Sequence, residues 1–146
     1  MQRNKLWILA GLLMASLLLA SCAQTVVEAE KAQPIKIEKI EGTEFNRLTL
    51  TEQAAKRLDI QTAAVLEESI EGVVRKVIPY AAVLYDVKGA TWIYISPSPL
   101  TFVRESITID HIAGDRVILT NGPPAGTTVV TVGVPELYGA DTGIGK

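Results

Sequence analysis

Cys22 is the only cysteine in the 146-residue chain, and it directly follows Leu19-Ala20-Ser21 at the end of an apolar stretch running from Leu6 to Ala20. Arg3 and Lys5 precede that stretch. A basic start, an apolar centre and small residues at the cut are the three regions of an export signal, and the apolar part is short for a bilayer span. Leu-Ala-Ser-Cys is the order of a lipobox: cleavage before Cys22 exposes its thiol for a diacylglycerol and frees its amine for a third acyl chain. Each buried methylene contributes about 0.8 kcal/mol and one chain holds only marginally, so two or three chains on Cys22 make a stable anchor. Residues 1–21 therefore read as a lipoprotein signal peptide, and Cys22 as the lipidation site that joins the protein to a membrane.

The other residue types able to do chemistry lack converging partners. His111 sits between Asp110 and Ile112, and Ser106, Asp110 and Asp115 stand at no motif spacing from it, so it reads as an exposed histidine rather than a metal ligand or base. Glu67, Glu68 and Glu71 can pair as acid and base in principle, yet acidic side chains this close at a strand end are usually solvated. Gly139 to Lys146 imitates a phosphate-binding loop, but five residues separate Gly139 from Gly145 and no Ser or Thr follows Lys146; the segment 140–146 is expected to be a flexible tail. No catalytic residue, cofactor or metal ligand is expected, and hence no enzyme.

Charge agrees with an exported protein that works away from nucleic acid. Loss of residues 1–21 removes Arg3 and Lys5 and no acid, leaving 12 basic against 16 acidic side chains, net −4. Such a balance has nothing to track a phosphate backbone. A single cysteine forms no intramolecular disulfide, and the 125 residues from Cys22 onward suffice for one core.

The segment 22–46 is polar, with Pro34 and no sustained apolar periodicity, and is expected to be a tether. As a coil it would hold the domain roughly 25 Å from the lipid on average and about 75 Å at full extension. Ile35, Ile37 and Ile40 offer an edge strand as the alternative. The folded part is expected over 47–139. Thr51 is placed to cap a short helix over 52–58, with Glu52 in its first turn and Lys56 and Arg57 in its last. β-branched runs follow at Gln61–Leu66, Gly72–Ile78, Ala81–Tyr85, Thr91–Ile95, Thr101–Ile109, Arg116–Thr120 and Thr127–Val132, bounded by turn residues. The fold class is mainly β, a small barrel or sandwich of six to seven strands with one short helix. Trp92, Tyr94, Phe102, Val117, Leu119, Val130 and Val132 are expected in or near the core.

Within these runs, Val77-Ile78-Pro79-Tyr80-Ala81-Ala82-Val83-Leu84-Tyr85-Asp86 and Gly89-Ala90-Thr91-Trp92-Ile93-Tyr94 resemble the membrane-proximal domain of the periplasmic adaptor subunits, or membrane fusion proteins, of resistance-nodulation-division efflux systems. The likeness continues through Leu100-Thr101-Phe102-Val103-Arg104, Gly114-Asp115, Asn121-Gly122-Pro123-Pro124-Ala125-Gly126, Val129-Val130-Thr131-Val132-Gly133 and Glu136-Leu137-Tyr138-Gly139, about 65 residues in order. Leu48 to Gln53 and Leu58 to Ala63 look like the segment that opens the exported part of such adaptors.

The resemblance implies a domain built from both ends of an adaptor chain, with the intervening barrel, lipoyl-like domain and helical hairpin absent and the halves joined across Val65–Arg75. It implies an accessory or partial adaptor in transmembrane efflux, with a resistance-nodulation-division pump or a full-length adaptor as partner. The hairpin that reaches the outer-membrane channel in the family has no counterpart. Methionines that capture copper or silver in some adaptors are also missing, because Met1 and Met14 both lie in the signal peptide. A free-standing binding or sensory lipoprotein of the same fold is the second reading, since a fold does not fix a function. Ala23 after the acylated cysteine lacks the aspartate of inner-membrane retention, which points to the outer membrane of a two-membrane cell, whereas the resemblance implies the inner one, from which lipoprotein adaptors generally work; the expected place is the periplasmic side of either, or the outer face of the membrane in a cell with only one.

Overall fold

The computed structural model describes residues 33–144. They form a mainly β structure of two antiparallel sheets. The larger has the order β1-β2-β8-β7-β11-β3, with β6 paired to β7; the smaller is β4-β5-β10-β9. The strands are β1 (Ile35–Lys39), β2 (Asn46–Leu50), β3 (Gln61–Ala64), β4 (Leu66–Ile70), β5 (Val73–Pro79), β6 (Leu84–Tyr85), β7 (Thr91–Ser98), β8 (Thr101–Ser106), β9 (Thr108–Ala113), β10 (Arg116–Asn121) and β11 (Thr128–Val132). Two helices, α1 (Glu52–Arg57) and α2 (Val134–Thr142), complete the fold. Among these residues no helix is long and apolar enough to cross a membrane.

The larger sheet is buried on both faces, and period-two alternation sorts its side chains between two cores. Tyr94 and Val130 turn to one side, where they pack with Leu48, Leu50 and Phe102 against Ala54 of α1 and Val134 and Leu137 of α2. Their neighbours Ile93 and Val129 turn to the other, meeting Ile78, Val117 and Leu119 of the smaller sheet. The molecule is thus layered as helices, seven-stranded sheet and four-stranded sheet. Both sheets are open, so the barrel alternative is excluded.

Two long extended runs supply strands to both sheets. Gln61–Ile70 pairs with β11 as β3 and with β5 as β4; Thr101–Ala113 pairs with β7 as β8 and with β10 as β9. The residues at which they change sheet, Val65 and Ile107, are buried in the core between the sheets. Such corners let one strand serve two layers. They contribute β4 and β9, two of the four strands beyond the seven expected runs; β1 and β2 are the others and bring the number to eleven.

Several boundaries differ from the sequence reading. The expected tether 22–46 loses its second half to the fold: β1 pairs with β2 in register from Ile35↔Leu50 to Lys39↔Asn46. Ile35 packs against the helical core, and the Thr51 amide donates to the Pro34 carbonyl at 3.1 Å. The edge strand of Ile35 and Ile37 is the alternative that formed. The expected tail 140–146 is likewise helical as far as Thr142, because Val134, Leu137 and Asp141 fall on one buried stripe. Pro135 lies in the first turn of α2, and Gly133 and Gly143 cap it at positive φ. The run Ala81–Tyr85 is mostly a 3₁₀ turn, Tyr80–Ala82, followed by the two-residue β6.

Of the expected core, Tyr94, Phe102, Val117, Leu119 and Val130 are buried, Trp92 is half-buried, and Val132 is exposed. A register shift between Val130 and Val132 takes Val132 off the alternation that buries Val130. The helix over 52–58 forms one residue shorter, with the Thr51 hydroxyl accepting from the Ala54 amide at 3.2 Å as a cap.

Candidate functional site

The densest polar cluster lies where the two ends of the domain meet. Asn46 opens β2, Tyr94 and Arg104 come from β7 and β8, and Asp141 comes from the last turn of α2. The Asp141 side chain is 1% exposed and that of Arg104 15%. Tyr94 donates its hydroxyl hydrogen to Asp141 Oδ2 at 2.9 Å. The Asn46 amide donates to Asp141 Oδ1 at 2.8 Å and to its backbone carbonyl at 3.2 Å. Arg104 Nε lies 3.1 Å from Oδ2, near enough for an ion pair but off the hydrogen-bond direction.

Aromatic rings enclose the Arg104 guanidinium. Its central carbon stands 4.9 Å from the centre of Trp92 and 5.6 Å from those of Phe45 and Tyr138. Phe45 and Trp92 meet edge to face at 5.7 Å. Ring faces attract a cation, and more so when water is kept away. Trp92 is oriented in turn by Asp86, whose carboxylate accepts from the indole at 3.0 Å and from the Lys88 and Ala90 amides at 2.8 and 2.9 Å. Those donors hold the Asp86 carboxyl below the usual range, the indole bond contributing most.

This arrangement fastens rather than reacts. The Asp141 carboxylate has no open side for a substrate, and its partners are a guanidinium, a phenol and an amide. Burial, together with the neighbouring Asp141 charge, pushes Tyr94 far above its ordinary range and keeps it a neutral donor. The cluster joins Asn46 to Asp141, 95 positions apart, so it clasps the opening strands to the closing helix.

The residues singled out from sequence do not assemble into a site. Cys22 lies outside the described residues. His111 Nδ1 is 2.8 Å from Asp110 Oδ2 on an exposed stretch of β9, and neither Ser106 nor Asp115 hydrogen-bonds to it. Glu67 and Glu68 point to opposite faces of β4, Glu68 pairs with Arg116, and Glu71 occupies a turn. Gly139 to Thr142 is the last part of α2, so the phosphate-loop likeness fails on topology as well: a helix precedes Gly143, whereas phosphate is held where one begins. Among the described residues no group of three or more His, Cys, Asp or Glu side chains is placed to hold a metal ion. The sequence reading misses the clasp because the tail expected over 140–146 includes Asp141. The apolar spacing Val134, Leu137, Tyr138 ahead of it, between Gly133 and Gly143, was the signal for a helix.

The second feature is the outer face of the four-stranded sheet. Leu66, Val77 and Ile118 stand side by side across β4, β5 and β10, with His111 next on β9. Val77 and Ile118 are buried on this face, while Leu66 and Val73 are about half exposed. Two shallow grooves of about 350 and 300 Å³ run along it, one beside Leu66 and Pro79 and the other between Val73 and His111. An apolar centre rimmed by Glu68, Arg75, Arg116 and His111 has the make-up of a contact surface.

No protein-family model, curated protein or solved structure matches this chain.

Proposed function

We propose that this protein is a lipid-anchored, non-enzymatic component of the bacterial envelope whose β domain works by protein contact, as an accessory or partial adaptor in transmembrane efflux. The observation that carries the reading is how the chain closes. The opening strands β2 and β3 and the closing elements β11 and α2 build one sheet and one core, fastened by the Asn46–Asp141–Arg104–Tyr94 cluster. Between them β4 and β5 turn back directly through Glu71 and Gly72, both at positive φ, as a two-residue hairpin requires. That hairpin stands where the resembling adaptors continue into their outer domains. The engaged carboxylate of Asp141 and the exposed His111, paired with its neighbour Asp110, favour contact over catalysis.

The partner in this reading is the periplasmic face of a resistance-nodulation-division pump, or a full-length adaptor beside it. Two measurements test it. Cells fed labelled palmitate should label the protein, and Cys22→Ser should abolish the label; equal labelling of the variant removes the anchor. Crosslinking in cells followed by mass spectrometry should recover a pump or adaptor, with less recovered from variants of the Asn121–Gly126 loop. Recovery of no efflux component under conditions that capture known pump partners rejects the efflux role and leaves a free-standing lipoprotein.

A further inference from the structure

The two sheets have five edge strands, and four are blunted. β1 follows Pro34 and carries Lys36 and Lys39; β3 is four residues long and β6 only two; β9 is bulged at two places in its pairing with β10. Prolines, charged side chains, short strands and bulges are the usual means of keeping an edge from pairing. β4 has no proline, lysine or bulge, and its only charges are the acids Glu67 and Glu68. It runs Leu66-Glu67-Glu68-Ser69-Ile70 in unbroken register against β5, from Leu66↔Val77 to Ile70↔Val73.

That register fixes which backbone groups are open. In a two-residue hairpin the residues flanking the turn exchange hydrogen bonds, and alternate residues of one strand face opposite ways. Ile70, Glu68 and Leu66 therefore bond to β5, and the N–H and C=O groups of Glu67 and Ser69 point away from it. Val65 points the same way, and its two groups are taken: its amide donates to Thr127 O at 2.9 Å and its carbonyl accepts from Gly126 at 2.8 Å. Among the described residues, the chain thus fills the first rung of this edge and pairs with neither of the next two. Glu67 and Ser69 are both exposed.

We propose that the open edge of β4 accepts an extended segment of a partner protein as a fifth strand of the smaller sheet, the segment alternating apolar and basic residues. Its apolar side chains lie beside Leu66 and Ile70 on the outer face and its basic ones beside Glu67 on the other. Charge selects this pattern. Glu68 is already paired with Arg116, whereas Lys76, opposite Glu67 in the register, donates to the Gly122 carbonyl instead. A second copy of this chain is disfavoured, because an antiparallel match of its Glu67 and Ser69 rungs sets Glu68 against Glu68, and like charges directly opposite destabilise a pair. Backbone rungs supply the affinity in such strand addition and alternate side chains the specificity. The proposal deepens the reading of the domain as a contact module, and rests on it only in taking the occupant to be protein.

The test uses the full chain in a neutral detergent and the nine-residue peptide Val-Lys-Val-Lys-Val-Lys-Val-Lys-Val. Saturating peptide should slow amide hydrogen exchange in the 66–70 segment at least tenfold. The Val-Glu counterpart should leave exchange unchanged, and so should the Val-Lys peptide N-methylated at alternate residues, which cannot form the ladder. Ser69→Pro removes only an outward N–H, so this variant should keep the parent melting temperature and lose the protection. Protection that persists in Ser69→Pro or with the N-methylated peptide, or no protection by the Val-Lys peptide, overturns the proposal. So does concentration-dependent dimerisation abolished by Ser69→Pro, which assigns the edge to a second copy. None of these readouts involves palmitate labelling or the efflux partners, so this proposal and the efflux role fail separately.

Discussion

Asp141→Ala is the perturbation with the most to reveal, because it strips a carboxylate that is the counter-charge of Arg104 and the acceptor of the Tyr94 hydroxyl and the Asn46 amide. The Arg104 side chain, 15% exposed, stays among Phe45, Trp92 and Tyr138 without its counter-charge. The Tyr94 hydroxyl loses its acceptor as well, and the Asn46 amide keeps only the backbone carbonyl of residue 141. Removing one member of a buried ion pair costs about 3–5 kcal/mol. Arg104 retains some contact with water, which sets the expectation at the low end, about 3 kcal/mol. Unfolding entropy of about 2.1 cal/mol/K per residue makes each kcal/mol worth roughly 4 °C for a domain of this size, so the melting temperature should fall by about 12 °C. Trp92 is the only tryptophan from Gln33 onward, so the emission of that compact unit during urea unfolding reports on the cluster itself. The midpoint should drop with the denaturant slope unchanged. Asp141→Leu combined with Arg104→Met should recover most of the loss, since an apolar pair of similar volume leaves no charge stranded. A loss under about 0.5 kcal/mol in the single variant, or a double variant no more stable than the single, refutes the clasp.

Truncation tests the revised boundary: a fragment starting at Arg47 lacks β1, Phe45 and Asn46 and should be markedly less stable to urea than one starting at Gln33. Equal stability would return residues 33–46 to the tether. Alkali tests Tyr94, whose raised value favours the neutral form in the folded state. That contribution is complete below the unfolded value of 10 and is lost as pH rises above it. Absorbance at 295 nm should show one of the four tyrosines ionising only when the domain unfolds, and Tyr94→Phe should remove that step.

What the sequence discloses and what it hides divide along physical lines. Local signals served well: Thr51 with Glu52, Lys56 and Arg57 marked α1, and β-branched runs marked most strands. The hairpin across Val65–Arg75 was hidden because Leu66 to Arg75 mixes acids with apolar residues, and the positive φ of Glu71 is a conformation that side chain rarely adopts. Strand switching at Val65 and Ile107 leaves no trace in local alternation, since the chain stays extended while its partner changes. The clasp depends on residues 95 positions apart, and such pairing cannot be read from either segment alone. The core expectation failed at Val132 for a related reason, as a bulge depends on the partner strand.

Taken together, the clasp and the hairpin explain how one domain can be assembled from two chain ends. The cost of closing a loop rises slowly with its length, by about 0.6 kcal/mol for each doubling. The connection between β4 and β5 is therefore the least constrained part of the architecture. Whatever joins them, β4 enters through the buried corner at Val65 and β5 leaves through Ile78, both held in the core between the sheets. The ends are gripped elsewhere, by β1 on β2 and by Asp141 on Arg104, Tyr94 and Asn46. A two-residue turn at Glu71–Gly72 thus completes the fold and leaves the Glu67–Ser69 edge uncovered.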